Sequence, residues 1–498
     1  CGGGPRGRNE KGEFMNYKHI GAVLASALLL AGCLMGPNYK QPDLDLPTGE
    51  AADNFSIFTN AKWWEVFEDP TLNELENTAL TYNKDLQAAV ARVDEARAAV
   101  GIATADQLPS LSAAGQSGRA GNNLGSGESQ STANVSVSFE LDLWGKYRRL
   151  SEAARAQLLA SEAARDTVRL TLTADVAKNY FALRTLDEQL LIAQRTLKAR
   201  QENVRIYTSR YNNGYSTEVD LKRVEANMAN VQAQEQQLRL KIAQTETALS
   251  VLLGKSPREM VENNTPRGKS LAEITLVPNV PEGLPSDLLA RRPDVRSAEG
   301  KLIAANANIG AARASYFPSI PLTASAGYAS GALNNLFTGS SGIWAIGGQV
   351  LAPIFEGGKI RAQNKQAEAA YREMLATYEK TVQGAFKEAL DALSANRINR
   401  DIFDSYKQQT EAMRRSYDLT KKQEDAGLIG VTDLLNVEEN LLSAEMNLAS
   451  ARNDELAAVV NLSKALGGGW NVKDGFGPYE NLVKKQQAEF AKQSKAEK

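Results

Sequence analysis

From Lys146 to Tyr211 the chain carries neither glycine nor proline, and the same holds for 216–253 and 431–466. Over 359–426 the only interruption is Gly384. These two residue types are the ones that break helices, by excess backbone freedom or by a missing N–H. A helix of about 65 residues is on the order of 100 Å long, whereas helices in globular domains average about 11 residues. Helices of such length pack as coiled coils, and the apolar spacing agrees. Leu183, Leu190, Leu197, Val204 and Tyr211 recur every seven residues. After the Gly214 turn, Leu221, Val224, Met228, Val231, Leu238, Ile242, Leu249 and Leu252 follow spacings of three and four, with Glu235 and Thr245 as polar members. The chain is therefore mainly α and built on long helical hairpins.

The hairpin occurs twice. Residues 96–110 match 305–319 at an offset of 209, and Gly145-Lys146 matches Gly358-Lys359 at an offset of 213. Gly214, Asp220 and Leu221 match Gly427, Asp433 and Leu434, and Leu253-Gly254 matches Leu466-Gly467, again at 213. Order and spacing are kept throughout, which marks a duplication. Each copy reads as helix, strand, strand, helix, helix. The first repeat covers 70–254, with strands over 109–117 and 133–141 and a hairpin tip at 212–215. A linker covers 255–285. The second repeat covers 286–467, with strands over 319–328 and 344–354 and a tip at 425–430, and a tail covers 468–498.

The strand segments alternate. Val135, Val137, Phe139 and Leu141 face one way and Asn134, Ser136, Ser138 and Glu140 the other. Ile320, Leu322, Ala324, Ala326 and Tyr328 alternate with smaller or polar residues, as do Trp344, Ile346, Gly348 and Val350. The lengths suit transmembrane β-strands of about 9–11 residues, apolar outward. The stretches 118–131 and 329–342 are rich in Gly, Ser and Asn and read as exposed loops. Four strands cannot close a barrel, and an open sheet leaves unsatisfied edges in lipid. The pattern therefore requires oligomerisation. A homotrimer supplies about twelve strands, with the long helices continuing the wall as an α-helical barrel.

The scarce residues exclude much chemistry. The chain has one histidine, His19, and two cysteines, Cys1 and Cys33. From Met15 the sequence reads as a secretory signal: Lys18 and His19, then an apolar run over 20–30 that is too short to span a bilayer. It ends in Leu30-Ala31-Gly32-Cys33, which resembles the lipobox of bacterial lipoproteins and implies acylation of Cys33. Residues before Met15 read as a cloning scar or misplaced start, so 1–32 is expected to be absent from the mature chain, with 33–69 a lipidated N-terminal segment. Without histidine or a second cysteine, zinc sites, Cys/His dyads and Ser-His-Asp triads have no ligands or bases. No catalytic residue, metal site or cofactor beyond the covalent lipid is expected. The net charge of −2 offers no footprint for nucleic acid. No later apolar run is long enough for a membrane helix, which leaves β-strands as the spanning element.

On these residues the sequence resembles the TolC/OprM-like outer-membrane efflux channels, in the lipoprotein branch. The resemblance is carried by Cys33-x-x-Gly36-Pro37-Asn38-Tyr39-x-x-Pro42, Trp63-Trp64, the run from Glu140 through Trp144-Gly145-Lys146, Arg291-Arg292-Pro293-Asp294-Val295, and Ala314-x-x-Phe317-Pro318-Ser319. Leu34 in place of Asp fits sorting to the outer membrane under the lipoproteins' rule. The resemblance implies a trimeric exit duct with an outer-membrane β-barrel, a periplasmic α-barrel and an equatorial belt. It would work with an inner-membrane RND-type transporter and a periplasmic adaptor protein. The hairpin tips, Asn213, Gly214 and Tyr215 in one repeat and Gly427 and Leu428 in the other, are implied to dock the adaptor. Asp433 and Asn436, with Asp220 at the duplicated site, are implied to close the periplasmic mouth. Three aspartates around a narrow axis make an anionic ring. An aspartate in a first helical turn also simply complements the helix dipole. Some members latch the mouth with a Tyr and an Arg beside the second tip, and those places hold Glu424 and Ile429 here. A rival of another class is a lipid-anchored periplasmic coiled-coil adaptor without a pore, against which the tandem hairpins and four strands argue.

Overall fold

The computed structural model describes residues 34–44, 62–121, 127–262, 265–275 and 292–468. Cys33, part of the linker between the repeats and the C-terminal tail lie outside them. In chain order the elements are a 3-10 turn Trp63–Phe67, α1 Pro70–Tyr82, α2 Lys84–Ala105, β1 Ser110–Gly121 and β2 Gly127–Glu140. There follow α3 Lys146–Asn212, α4 Glu218–Leu252, the short α5 Pro257–Glu262 and α6 Pro293–Ala314. The second strand pair is β3 Pro321–Ser330 and β4 Gly342–Gly348, and the last hairpin is α7 Lys359–Asp425 with α8 Val431–Ala465. No described helix is long and apolar enough to cross a membrane. The chain divides into a sheet unit (up to 41, 97–157 and 301–374) and a helical unit (42–96, 158–300 and 375 onward), with boundaries inside α2, α3, α6 and α7.

In the sheet unit the four strands form one antiparallel sheet in the order β1-β2-β3-β4. The register makes it two-faced. Leu111, Val137, Ala324 and Ile346 form one row across all four strands, and Ala113, Val135, Ala326 and Trp344 the next row on that face. Ser112, Ser136, Ser325 and Ala345 form a row on the other face. There the Ser112 and Ser136 hydroxyls bond each other at 2.8 Å. Trp344 and Ile346 are 79% and 78% exposed, so the apolar face is left bare.

The strands differ in extent from the alternation that marks them. β2 begins at Gly127 and pairs with β1 as far as Gly121, through Gly- and Ser-rich sequence expected as loop. A ladder needs only backbone N–H and C=O groups, so weak side-chain alternation does not end it. β4 stops at Gly348, short of the expected 354. Beyond it one bridge pairs Ser319 with Leu351 before Pro353, which has no N–H to offer. The chain from 331 to 341 is a structured cap with two 3-10 turns, in which Leu336 is buried and Phe337 meets the Tyr328 ring edge-on at 5.5 Å.

The helical unit has its largest core around Trp63, Trp64 and Phe67, with Phe67 against Phe181 at 4.8 Å between ring centroids. Asp69 caps α1 by accepting from the Thr71 N–H at 2.9 Å, and its other oxygen accepts from Tyr180 Oη. The duplication is visible as a repeated staple. Asn83 Nδ2 donates to the Leu252 carbonyl at 2.9 Å, and Arg292 Nη1 donates to the Ala465 carbonyl at 3.0 Å. Each holds the last turn of a returning helix where its carbonyls lack intrahelical partners. Gly254 follows one staple at φ +69, and a Cβ there would meet the Tyr82 carbonyl oxygen at 2.2 Å.

On α4 the apolar series lies inward as spaced, with Leu221, Val224, Val231, Leu238 and Leu249 buried. On α3 the leucine stripe is only part of the buried face. Leu190, Leu197 and Val204 are half-buried and Tyr211 is exposed, whereas Ala193, Arg200 and Tyr207 are buried at the same seven-residue spacing. The reason is that α3 has more than one neighbour. Ile192 packs with Val231 of α4 and with Leu442 of α8 in one cluster.

Candidate functional site at the hairpin turns

Backbone closes both turns. Gly214 and Gly427 have φ of +82 and +71. The Tyr215 N–H donates to the Arg210 carbonyl and the Leu428 N–H to the Gln423 carbonyl, both at 2.8 Å. These are the six-to-one bonds of a left-handed helix cap, which glycine permits without Cβ strain. Because the backbone satisfies itself, the tip side chains are free to point outward. Tyr215 is 84% exposed and Leu428 74%. Asn213 turns its Nδ2 back to the Ser209 carbonyl at 2.8 Å.

The two returning helices start side by side. Arg223 of α4 donates Nη1 to Thr432 Oγ1 of α8 at 2.6 Å, and Leu221, Val224, Val431 and Leu435 share a cluster with Tyr207. The implied mouth residues then divide. Asp220 is engaged locally: the Thr217 hydroxyl accepts from the Asp220 N–H at 3.1 Å and donates to Asp220 Oδ2 at 2.7 Å. Thr217 is thus a side-chain N-cap, and it engages the carboxylate at the start of its own helix. Asp433 and Asn436 lie three residues apart on an exposed face of α8, whose N-cap is Gly430 with no side-chain cap.

Behind the turns lies a set of contacts that sequence reasoning did not identify. Glu424 at the end of α7 is 8% exposed. Its Oε1 accepts from Tyr207 Oη at 2.7 Å and from Arg210 Nη1 at 2.8 Å, both on α3. Burial first, and then the bond to Glu424, pushes the Tyr207 hydroxyl well above its usual range; the same bond raises Arg210. Further along, Arg200 of α3 is 1% exposed and pairs with Glu438 at 3.8 Å and Glu439 at 3.2 Å, while Asn203 donates to Glu438 at 3.3 Å. Burial raises the Glu438 pKa, against the pull of Arg200. Glu445 is shared by Arg195 of α3 and Arg414 of α7, the latter at 3.0 Å. The signal available in sequence was the seven-residue series Ala193, Arg200 and Tyr207, which runs beside the leucines. Among the described residues no group of three or more His, Cys, Asp or Glu could hold a metal ion.

Comparison with known proteins assigns both repeats to one family. The family model for outer membrane efflux proteins matches twice, over 75–255 and 284–468, one match to each repeat. The solvent efflux pump outer membrane protein SrpC of Pseudomonas putida is 37% identical over 474 residues, covering 92% of this chain and 99% of SrpC. The cation efflux system protein CusC of Escherichia coli is 32% identical over 455 residues, covering 89% and 97%. Among solved structures, the CmeC outer membrane channel of Campylobacter jejuni superposes with a TM-score of 0.83 at 27% identity, over 91% of this chain and 98% of that one. The open state of the MtrE outer membrane channel of Neisseria gonorrhoeae gives 0.78 at 33% identity, over 88% and 98%.

Proposed function

The chain belongs to the outer membrane efflux protein family and is an outer-membrane channel of an efflux pump; on that footing we propose that three copies close one barrel, gated where their hairpins turn. The observation that carries the assembly is the sheet itself. Its β1 and β4 edges have no further strand among the described residues, and its apolar face is bare. In lipid each unpaired N–H and C=O costs several kcal/mol, so β4 of one copy must meet β1 of the next. Three sheets then make a ring of about twelve strands, wide enough for a solute path, with the serine row lining it. Cross-linked, detergent-extracted protein should run as a trimer and give discrete conductance steps in planar bilayers. A monomer or dimer that still conducts would defeat the assembly.

The outward Tyr215 and Leu428, with Asn213, Gly214 and Gly427 shaping the turns, suit docking by the periplasmic adaptor that links the duct to an inner-membrane RND-type transporter. Asp433 and Asn436, exposed on the first turns of α8, are the groups placed to ring the mouth. Asp220, bonded to the Thr217 hydroxyl, plays a smaller part. The Glu424 cluster ties α3 to α7 just behind and acts as a latch within each protomer. A passive duct of this kind needs no catalytic group. Cys33 is the acylated residue: fatty-acid labelling should mark the parent protein, and equal labelling of Cys33→Ala would refute its lipidation.

A further inference from the structure

In the sheet unit, a cavity of about 500 Å³ opens between α6 and α7 beside Met35. Its walls are built from two helix faces. Arg313, Tyr316 and Phe317 stand at i, i+3 and i+4 on and just beyond α6, and Arg361, Lys365 and Glu368 follow the same kind of spacing on α7. Asn364, buried between them, donates Nδ2 to the Ala312 carbonyl at 3.0 Å and so fixes α7 against α6. Met35 is held in place from below. Arg149 donates Nε to its carbonyl at 3.0 Å, and Gly36 lies so close to Gly310 that a Cβ at 36 would meet the Gly310 Cα at 2.4 Å.

The lining joins Met35, Tyr316 and Phe317 to the cations Arg313, Arg361 and Lys365. Three cations face one carboxylate, and Glu368 is already engaged by Arg313 at 3.0 Å. Arg361 and Lys365 are exposed and make no ion pair among the described residues. Tyr316 and Phe317 are 49% and 36% exposed despite their rings. The level of the cavity follows from the strands: β3 begins at Pro321, just after Phe317, and the Trp144 ring stacks on Phe317 at 4.6 Å where β2 has ended. Aromatic rings at strand ends mark the edge of the hydrocarbon layer, and here it is the edge that carries the helices, the periplasmic one.

We propose that this cavity binds the headgroup of an anionic glycerophospholipid of the periplasmic leaflet. Arg361 and Lys365 hold the phosphate, and Tyr316, Phe317 and Met35 receive the upper part of the acyl chains. The first turns of α7 add the positive end of a helix dipole to those two cations. The inference rests on the outer-membrane channel reading, which supplies the leaflet.

The test is native mass spectrometry of the full-length assembly titrated with palmitoyl-oleoyl phosphatidylglycerol, alongside Arg361→Ala/Lys365→Ala. A cation at an anionic lipid surface contributes about fivefold in affinity, so the double variant should retain lipid about 30-fold more weakly. Inorganic phosphate at millimolar concentration should not displace the lipid from the parent protein. Equal lipid retention by parent and variant overturns the site. Displacement by inorganic phosphate alone would make it a free-anion site and overturns the lipid assignment. Planar-bilayer conductance of the variant is read in parallel. Unchanged conductance with lost lipid supports the site, whereas a parent protein that does not conduct would instead indict the channel reading.

Discussion

Replacing Glu424 by alanine removes the acceptor that joins the last turn of α3 to the last turn of α7. Tyr207 is 7% exposed, so its hydroxyl would be left without a partner and away from water. An orphaned buried hydroxyl costs about 1–3 kcal/mol. The Arg210 side chain is 39% exposed and can be resolvated, so its lost pairing adds only about 0.5 kcal/mol. A loss of about 2 kcal/mol per protomer shifts the latch equilibrium roughly 30-fold toward release. Glu424→Gln keeps an acceptor for Tyr207 and gives up only the charge, and Tyr207→Phe removes the donor while leaving Glu424 on Arg210. Each should cost about 1 kcal/mol, or about fivefold. Single-channel recording of the three variants gives open probability directly, and the expected order is alanine first, then the two milder changes together. Thermal unfolding of the same samples supplies the control. A lowered midpoint with parental open probability in all three would make the cluster ordinary helix packing and refute the latch.

Two further outcomes follow from neighbouring groups. Asp433→Ala should lower cation selectivity and weaken block by multivalent cations with little loss of stability, since a first-turn acid contributes about 0.3–1 kcal/mol; Asp220→Ala should change selectivity and block less, because its carboxylate is bonded to Thr217. Reversal potentials in potassium chloride gradients decide, and equal behaviour of the two variants would sink the distinction. Burial raises the Glu438 pKa against Arg200, Asn203, Lys421 and Tyr417, so the folded chain binds a proton there more readily than the unfolded chain does. The contribution of that form is present at low pH and is lost as pH rises through the raised folded value. The difference in thermal midpoint between Glu438→Gln and the parent should therefore shrink as pH falls from about 7 toward the unfolded value of about 4.3. A difference that stays constant over that range contradicts it.

Much of the architecture is legible because it is repeated and because helix breakers are so sparse. The absence of Gly and Pro over 146–211 outlines α3 almost to the residue, and the paired glycines at 214 and 427 locate both turns. The sheet's two faces follow from alternation at Val135, Val137 and Phe139, and the register extends them across all four strands. What alternation does not reveal is where pairing stops, since Gly- and Ser-rich strands such as the start of β2 are held by backbone bonds that carry no side-chain signature. The Thr217 cap and its bond to Asp220 were readable from spacing, a hydroxyl followed three residues later by an acid. The buried position of Arg200 was not. A single heptad frame describes a helix with one partner, and α3 has more than one, so a second buried series runs outside the leucine frame.

That second series explains how long helices can be held in one register. Within the first hairpin, α3 meets α4 largely through apolar side chains such as Ile192 and Val231. Between hairpins apolar contact continues, as in Ile192 against Leu442, and polar contacts are added to it. Arg200 meets Glu438 and Glu439, Arg195 meets Glu445, Gln189 donates to Ser450 Oγ at 3.0 Å, and Tyr207 and Arg210 meet Glu424. A buried ion pair adds little net stability over an apolar pair of equal volume, because desolvation offsets most of its Coulomb energy. What it does enforce is register, since a shift along the seam leaves Arg200, 1% exposed, without its acids. Apolar packing resists separation but discriminates weakly among registers, whereas matched charges discriminate strongly at small cost in stability. These polar contacts from α3 to α7 and α8 therefore set the register in which one hairpin meets the next.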